Sequence, residues 1–318
     1  MKKIVTVLFL YSGDDWEKSA PFLQTPFQDN GYRNFYTRGL NEFGILCVRA
    51  SIDWYQNGVW QKYWTFDGEQ WVKHDESIRP DIVVDKSGLY FPSYQKLQDM
   101  QQHVVLLNAW ELKMIASDKL ITSVVFQDLM PQSKLVYTTD QLIQAITGME
   151  SADIVIKPQH GFGGNGIVIL PAEEAKQVEI HEPCIVQPFI DTSGGIHGIV
   201  QGYHDLRVVV MGDNPAYSFV RTPAPGSKLC NLAQGGSALY VPLADVPSAV
   251  MDLITRVRRQ LQTFPHSIYS VDFLFDEHQK PWIVEMNATT GLDYRDESPE
   301  LKQFGYDAHF RYFLSLVK

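Results

Sequence analysis

Short β-branched apolar runs, broken by glycine, aspartate or proline, recur along the chain. "KKIVTVLFL", "FGILCVRA" and "RPDIVVD" read as strands of a small α/β domain within residues 1–103. Between the last two, "GVWQKYWTFDGEQWVKH" carries two aromatic-rich runs around Asp67-Gly68, the signal of a type I′ hairpin. Its aromatics are expected to pack against the domain, with stacking on a ligand as the alternative. "HVVLLNAWELKMIASDKLITSVVFQDL" predicts a strand and then helix with a break near Ser117, and "QLIQAITGM" a short helix. "CIVQPFI" is a strand running into a loop with Gly194, Gly195 and Gly198, and "DLRVVVMGDNPAYSFVRTP" is two antiparallel strands joined at Gly212-Asp213. Met251, Ile254, Val257 and Leu261 have helical spacing, "YSVDFLFDEHQKPWIVEMN" is another hairpin, and a C-terminal helix closes the chain.

"IVIKPQHGFGGNGIVIL" is the most informative stretch. Gly161, Gly163 and Gly166 fit G-x-G-x-x-G, but a dinucleotide fingerprint needs a helix after the glycines. Ile167 to Leu170 instead form a mostly β-branched run that ends at Pro171, so the segment is a glycine-tipped β-hairpin. A protein kinase loop fares no better. The pattern extends through Val168, but H-R-D and D-F-G are absent and Lys157 lies upstream of the glycines.

The 318 residues are 45% hydrophobic, which suits two or three structural units with a sizeable core. A formal net charge of -10 argues against nucleic acid as the main partner. Cys47, Cys184 and Cys230 form no C-x-x-C pair, so reduced thiols and a cytoplasmic protein are expected. The N-terminal "MKKIVTVLFLYSGDD" has the look of a signal peptide, yet its apolar run is short and stops at Gly13, Asp14 and Asp15. A first core strand is the better reading. No run approaches the ~18 apolar residues of a membrane span, so no membrane partner is expected.

In "VDFLFDEHQKPWIVEMNATTGL", strands 271–275 and 282–286 flank a turn at 276–281, which sets Asp272 opposite Glu285. Asn287 points to the same side because strand side chains alternate. Unneutralised carboxylates placed opposite each other repel, and a divalent cation removes the conflict. Oxygen-only ligands suit magnesium held together with phosphates. The alternative, a solvated face with chance acids, sits poorly with the apolar flanks. Lys157 ends the strand before the glycine hairpin, and Lys119 in "SDKL" offers a second cation for phosphates. In "VQPFI" the carbonyl of Pro188 can accept from an adenine amino group while the N–H of Ile190 donates. None of the nine histidines has H-E-x-x-H spacing, and His160 reads as a loop histidine beside the glycine hairpin.

From about Asn108 to Leu292, these motifs in this order resemble the ATP-grasp superfamily, specifically ligases of the bacterial glutathione synthetase and ribosomal-protein glutamate ligase type. The resemblance implies an α/β (α+β) ATP-grasp fold. It divides into an N-terminal α/β (pre-ATP-grasp) domain over 1–103, a lid subdomain with the glycine hairpin over 104–190, and a C-terminal subdomain with the metal and substrate site over 191–318. It implies that Lys119, Lys157 and the backbone of Gly161, Gly163, Gly164 and Gly166 bind the ATP phosphates. Gln187, Pro188, Phe189 and Ile190 would hold adenine, with Asp191 a ribose contact, although an acid is common in the family where Pro188 stands. Asp272, Glu285 and Asn287 would bind Mg2+. Arg207 and Arg221 would bind the acceptor carboxylate and the acyl phosphate, supported by Asn231. The implied activity is ATP-dependent joining of a carboxylate to an amine through an acyl phosphate, with release of ADP and phosphate. Arg207, Arg221 and Lys228 point to anionic substrates such as amino acids or short peptides, and a homodimer is compatible. The alternatives are a small-molecule kinase on the same fold and a non-catalytic ATP-binding regulatory module.

Overall fold

The computed structural model describes residues 4–12, 26–88, 93–161, 163–292 and 298–317. The acidic stop at Gly13 to Asp15 lies outside them. Fully buried apolar runs form the centre of an N-terminal sheet: β1 (Val5–Tyr11) leads through helix α1 (Pro26–Arg38) to β2 (Ile45–Ser51). Minor strands β3 (Tyr55–Gln56) and β4 (Val59–Trp60) precede the aromatic hairpin of β5 (Tyr63–Phe66) and β6 (Trp71–His74). Strand β7 (Ile82–Asp85), helix α2 (Tyr94–Gln101) and β8 (Val105–Leu107) complete the unit. The order is β6-β5-β2-β1-β7-β8, parallel from β2 to β8 and antiparallel at the hairpin. Strand β8 thus extends this sheet beyond the boundary expected at residue 103.

The aromatic hairpin departs from the two-residue turn that Asp67-Gly68 signals. Phe66 pairs with Trp71, so the loop runs from Asp67 to Gln70. The Asp67 carboxylate accepts the backbone N–H groups of Glu69 and Gln70, both at 2.8 Å, and that local capping stabilises the longer loop. Trp64 and Trp71 are buried in the N-terminal core, as expected of packing residues.

Helices α3 (Trp110–Ser117) and α4 (Lys119–Val125) follow, broken at Asp118, whose side chain accepts from the N–H groups of Leu120 and Ile121. Strand β9 (Lys134–Val136), helix α5 (Thr139–Thr147), β10 (Asp153–Pro158), β11 (Val168–Pro171), α6 (Ala172–Ala175) and β12 (Cys184–Pro188) come next. They build an antiparallel sheet ordered β11-β10-β12-β9. The glycine segment is the β10–β11 hairpin.

A second antiparallel sheet, ordered β15-β14-β13-β16-β17, is formed by β13 (Asp205–Met211), β14 (Asn214–Thr222), β15 (Ser237–Val241), β16 (Ile268–Phe275) and β17 (Pro281–Asn287). Helix α7 (Ser248–Gln260) buries Val250, Ile254 and Val257 on one face of it. The C-terminal helix α8 (Pro299–Leu316) lies on the other, with Phe310 and Phe313 packed among Phe9, Phe35, Tyr217 and Phe219. One core therefore joins the N-terminal sheet to the five-stranded sheet. Asn108 ties the same two parts by hydrogen bonds. Its side chain donates to the carbonyls of Ile268 and Ala288 and accepts from the Ile268 N–H, each at 2.7 Å. Among the described residues, no helix is long and apolar enough to cross a membrane.

Candidate active site

The carboxylate pair owes its geometry to a β-bulge. Near the turn, Phe273 pairs with Ile283 and Leu274 with Trp282, a register that carried further would set Asp272 against Val284. The register instead shifts after Phe273, and Asp272 pairs with Glu285. A one-residue slip turns side chains to the opposite face, so the bulge is what brings Glu285 onto the face of Asp272. Asn287 follows opposite Ser270, in phase with both acids. The sequence expectation of Asp272 facing Glu285 holds, while the turn-proximal pairs differ from a simple symmetric register.

Asp272 is clamped by two arginines from neighbouring strands. Arg207 on β13 donates from Nε to Oδ1 and from Nη2 to Oδ2, both at 2.6 Å. Arg221 on β14 donates from Nη2 to Oδ2 of Asp272 at 2.8 Å. It also grips Asp205 through Nε at 2.6 Å and Nη2 at 2.9 Å. Burial alone would raise the pKa of Asp272, but the two guanidiniums outweigh it and hold the carboxyl below its ordinary value. Asp205 goes the other way: burial raises it, helped by Asp272 and opposed by Arg221. Both arginines keep their Nη1 protons uncommitted among the described residues. On Asp272, Oδ2 serves both arginines and Oδ1 only one, so a lone pair on Oδ1 remains for a cation.

Two lysines face this cluster. Lys157, at the end of β10, is buried and donates to the carbonyl of Val284, the bulge residue, at 3.3 Å. Burial lowers its pKa to about 8, with Lys119 adding to the effect and Glu285 and Asp272 opposing it. Lys119, at the start of α4, donates to the Gly161 carbonyl at 2.9 Å and lies 3.9 Å from Oε1 of Glu285. The glycine tip reaches across to the 229–236 loop. Gln234 donates to Asn165 Oδ1 at 3.1 Å and to the Gly163 carbonyl at 3.4 Å. Gly164 has φ +80°, and a Cβ there would sit 2.5 Å from Asn231 Oδ1. Only glycine allows that approach. His160 is largely exposed and stands 3.7 Å from Asp118 Oδ2.

The hinge fits the purine role in its backbone pattern. Phe189 donates to the carbonyl of Asp153 at 3.0 Å, whereas Pro188 opposes Ile154 in the neighbouring pair. Hydrogen-bonded and non-hydrogen-bonded pairs alternate in an antiparallel ladder, so the Pro188 carbonyl faces away from β10. Pairing of β12 with β9 ends at Val186, which leaves that carbonyl open. A proline costs nothing there, since its missing N–H would point the same way.

Lys119, Lys157, the hinge from Gln187 to Ile190, Arg221, Asn231, Asp272 and Glu285 all line one cleft between the two antiparallel sheets. Arg207 and Asn287 adjoin it through Asp272 and Glu285 without lining it. Asn287 is 8% exposed and its Nδ2 has no partner among the described residues. Asp191 is left out: it is exposed, and its carboxylate accepts the N–H of Ser193 at 2.9 Å. Asp205 and His204, which line the cleft, were not anticipated. The turn alone does not give Asp205 away: a hairpin centred on Gly212-Asp213 sets it opposite Val220, and the register shift between Val209 and Val210 is what moves it opposite Arg221. The cleft encloses about 130 Å³, below the ~300 Å³ at the small end of ligand pockets.

Residues 118–268 match the family model described as prokaryotic glutathione synthetase, ATP-grasp domain. A curated relative from Pseudomonas paraeruginosa, named probable alpha-L-glutamate ligase, is 28% identical over 170 residues, covering 52% of each chain. The chain thus spans about half the length of the curated relatives it matches. Among solved structures, D-alanyl-alanine synthetase A from Vibrio cholerae superposes with a TM-score of 0.63 at 12% identity, covering 99% of both chains. The ATP-grasp ligase PsnB, complexed with minimal precursor, Mg and ADP, gives 0.61 at 13% identity, covering 98% of this chain and 97% of that one. The fold is ATP-grasp.

Proposed function

We propose that this ATP-grasp protein is an ATP-dependent carboxylate–amine ligase that works through an acyl phosphate and releases ADP and phosphate. The observation that carries the reading is the bulge that sets Glu285 beside arginine-clamped Asp272, beneath Lys157. The named activities of the relatives, glutamate ligase and D-alanyl-alanine synthetase, point to amino acids or short peptides as substrates. A cytoplasmic location and a homodimeric state belong to the same proposal. So does the division into an N-terminal domain, a lid and a metal-bearing subdomain.

In this reading Asp272, Glu285 and Asn287 hold Mg2+. The donor set fits a hard cation: two carboxylates and an amide on one face, with Asp272 kept ionised and one lone pair spare. When bound, magnesium neutralises phosphate charge. Lys119 and Lys157 bind the phosphates, and the hairpin backbone at Gly161, Gly163, Gly164 and Gly166 covers them. The Pro188 carbonyl and the Ile190 N–H hold adenine between Gln187 and Phe189. The uncommitted Nη1 ends of Arg207 and Arg221 orient the attacking carboxylate, then stabilise the charge on the tetrahedral adduct, with Asn231 beside them. Closure of the hairpin onto Gln234 excludes water, which an acyl phosphate requires.

Two expected results test the nucleotide chemistry. Chromatography of a turning-over reaction should show ADP and inorganic phosphate; stoichiometric AMP would refute the acyl-phosphate route. ATP affinity of the metal-free protein should be nearly flat between about pH 7 and pH 8 and then fall, by roughly tenfold per pH unit. The sign follows from the lysine: its lowered pKa leaves it neutral above that pH, and the phosphates bind the protonated form. Lys157→Arg should flatten the profile. An affinity for wild type that does not change up to about pH 9.5 would remove Lys157 from phosphate binding.

A further inference from the structure

We propose that Asp118 is a positioning residue that sets the glycine hairpin over the nucleotide phosphates. One oxygen of its carboxylate caps the helix that presents Lys119, and the other holds the root of the hairpin through Gln159. This rests on the nucleotide reading of the cleft.

The hairpin leaves its sheet early. Strands β10 and β11 pair no further than Ile156 with Val168, so their ladder does not hold the tip. The outgoing limb is anchored at Gln159 instead. Its N–H donates to the Pro183 carbonyl at 2.9 Å, and its own carbonyl accepts the Lys119 N–H at 3.3 Å. Its side chain donates from Nε2 to Asp118 Oδ2 at 2.8 Å. Oδ1 of the same carboxylate accepts the N–H groups of Leu120 and Ile121, at 2.8 and 3.0 Å. Asp118 is buried, so neither bond competes directly with bulk water. The ring of His160 stands 3.7 Å from Oδ2 and is mostly in solvent, which leaves the Gln159 amide as the effective tether.

One buried carboxylate thus joins the two elements that carry the phosphate cations. Lys119 directly follows Asp118, and its ammonium reaches forward to the Gly161 carbonyl, two residues beyond Gln159. Lys157 lies two residues before Gln159 on the same limb. The glycine-rich tip has little stiffness of its own, so its direction is decided where it is rooted. At the far end it meets the opposite loop through Asn165 and Gln234. A hydrogen bond from an amide to a buried carboxylate is stronger than one between neutral groups, which suits a hinge that must hold a mobile hairpin in register. Small errors in such positioning weaken every contact the tip makes with a ligand.

The test measures ATP affinity with magnesium present and hydrogen exchange of the hairpin amides, with thermal stability alongside. It compares wild type with Gln159→Leu, Asp118→Ser, Asp118→Asn and the double variant Gln159→Leu/Asp118→Ser. Serine keeps an oxygen that caps the helix but is too short to reach Gln159. Gln159→Leu and Asp118→Ser should each weaken ATP binding by roughly tenfold and speed hairpin exchange, while both proteins stay folded. The double variant should lose about as much as either single one, because the same bond is broken in all three. Asp118→Asn should recover most of the affinity, since Gln159 can turn its amide to accept from the new N–H group. A folded Gln159→Leu with wild-type ATP affinity would overturn the role of Asp118 while leaving the nucleotide reading intact. So would a double variant in which the two losses multiply. Wild type that binds no ATP would overturn both.

Discussion

Replacing Glu285 by glutamine should lower magnesium-dependent turnover by roughly 10²–10³-fold while the protein stays folded. Glutamine has nearly the same size and keeps an oxygen at the site, but it removes one of the two charges that face each other across β16 and β17. The loss should therefore appear as a weakened dependence of ATP affinity on magnesium, as well as in the rate. Stability should hardly change. Among the described residues Glu285 makes one ion pair, with Lys119 at 3.9 Å, and Glu285 is a quarter exposed, so the pair contributes little. Measured turnover within a factor of about two of wild type, at saturating magnesium and unchanged thermal stability, would remove Glu285 from the metal site.

Arg221→Met should lower stability by about 3–5 kcal/mol, in addition to any loss of activity. The guanidinium grips Asp205 and Asp272 together, and all three side chains are buried. Removing it leaves two acids close together without one of their counter-charges. In the native protein Arg221 lowers the pKa of both carboxyls, so its removal raises both in the folded state. Raised acids favour the protonated folded form and lose that advantage as pH rises through the new values. Asp272 in wild type, held low, contributes stability above the ordinary carboxylate range and loses it in acid. Both effects have one sign: the gap between variant and wild type should be widest near pH 8 and narrow toward pH 5. Urea denaturation at the two pH values measures it. A gap below about 1 kcal/mol would mean that the triad behaves like a surface ion pair.

Much of this was legible in the chain because strand periodicity is a strict signal. A register symmetric about the 276–281 turn set Asp272 opposite Glu285, alternation carried Asn287 to the same face, and the flanks of the glycine hairpin excluded a Rossmann loop. The bulge at Val284 was not legible, because nothing in an apolar run marks where two residues oppose one. Helix α1 was missed although Tyr32, Phe35, Tyr36 and Gly39 have helical spacing; Gly31 and the asparagines around them weigh toward a loop. The role of α8 was hidden for another reason. Its aromatics satisfy any core, and only the tertiary structure shows Phe310 and Phe313 joining the N-terminal sheet to the five-stranded one. Asp191 read as a sugar contact because an acid after a hinge suits that role; the local turn directs it outward, where its carboxylate accepts the N–H of Ser193.

The most direct test of the ligase account follows an oxygen atom. The protein is incubated with ATP, magnesium and pools of amino acids and dipeptides whose carboxylates carry oxygen-18, and all products are weighed by mass spectrometry. The account predicts ADP, an amide one water lighter than its two substrates together, and one labelled oxygen in the released phosphate. Amide formation with unlabelled phosphate, or a phosphorylated product with no free phosphate released, would contradict it.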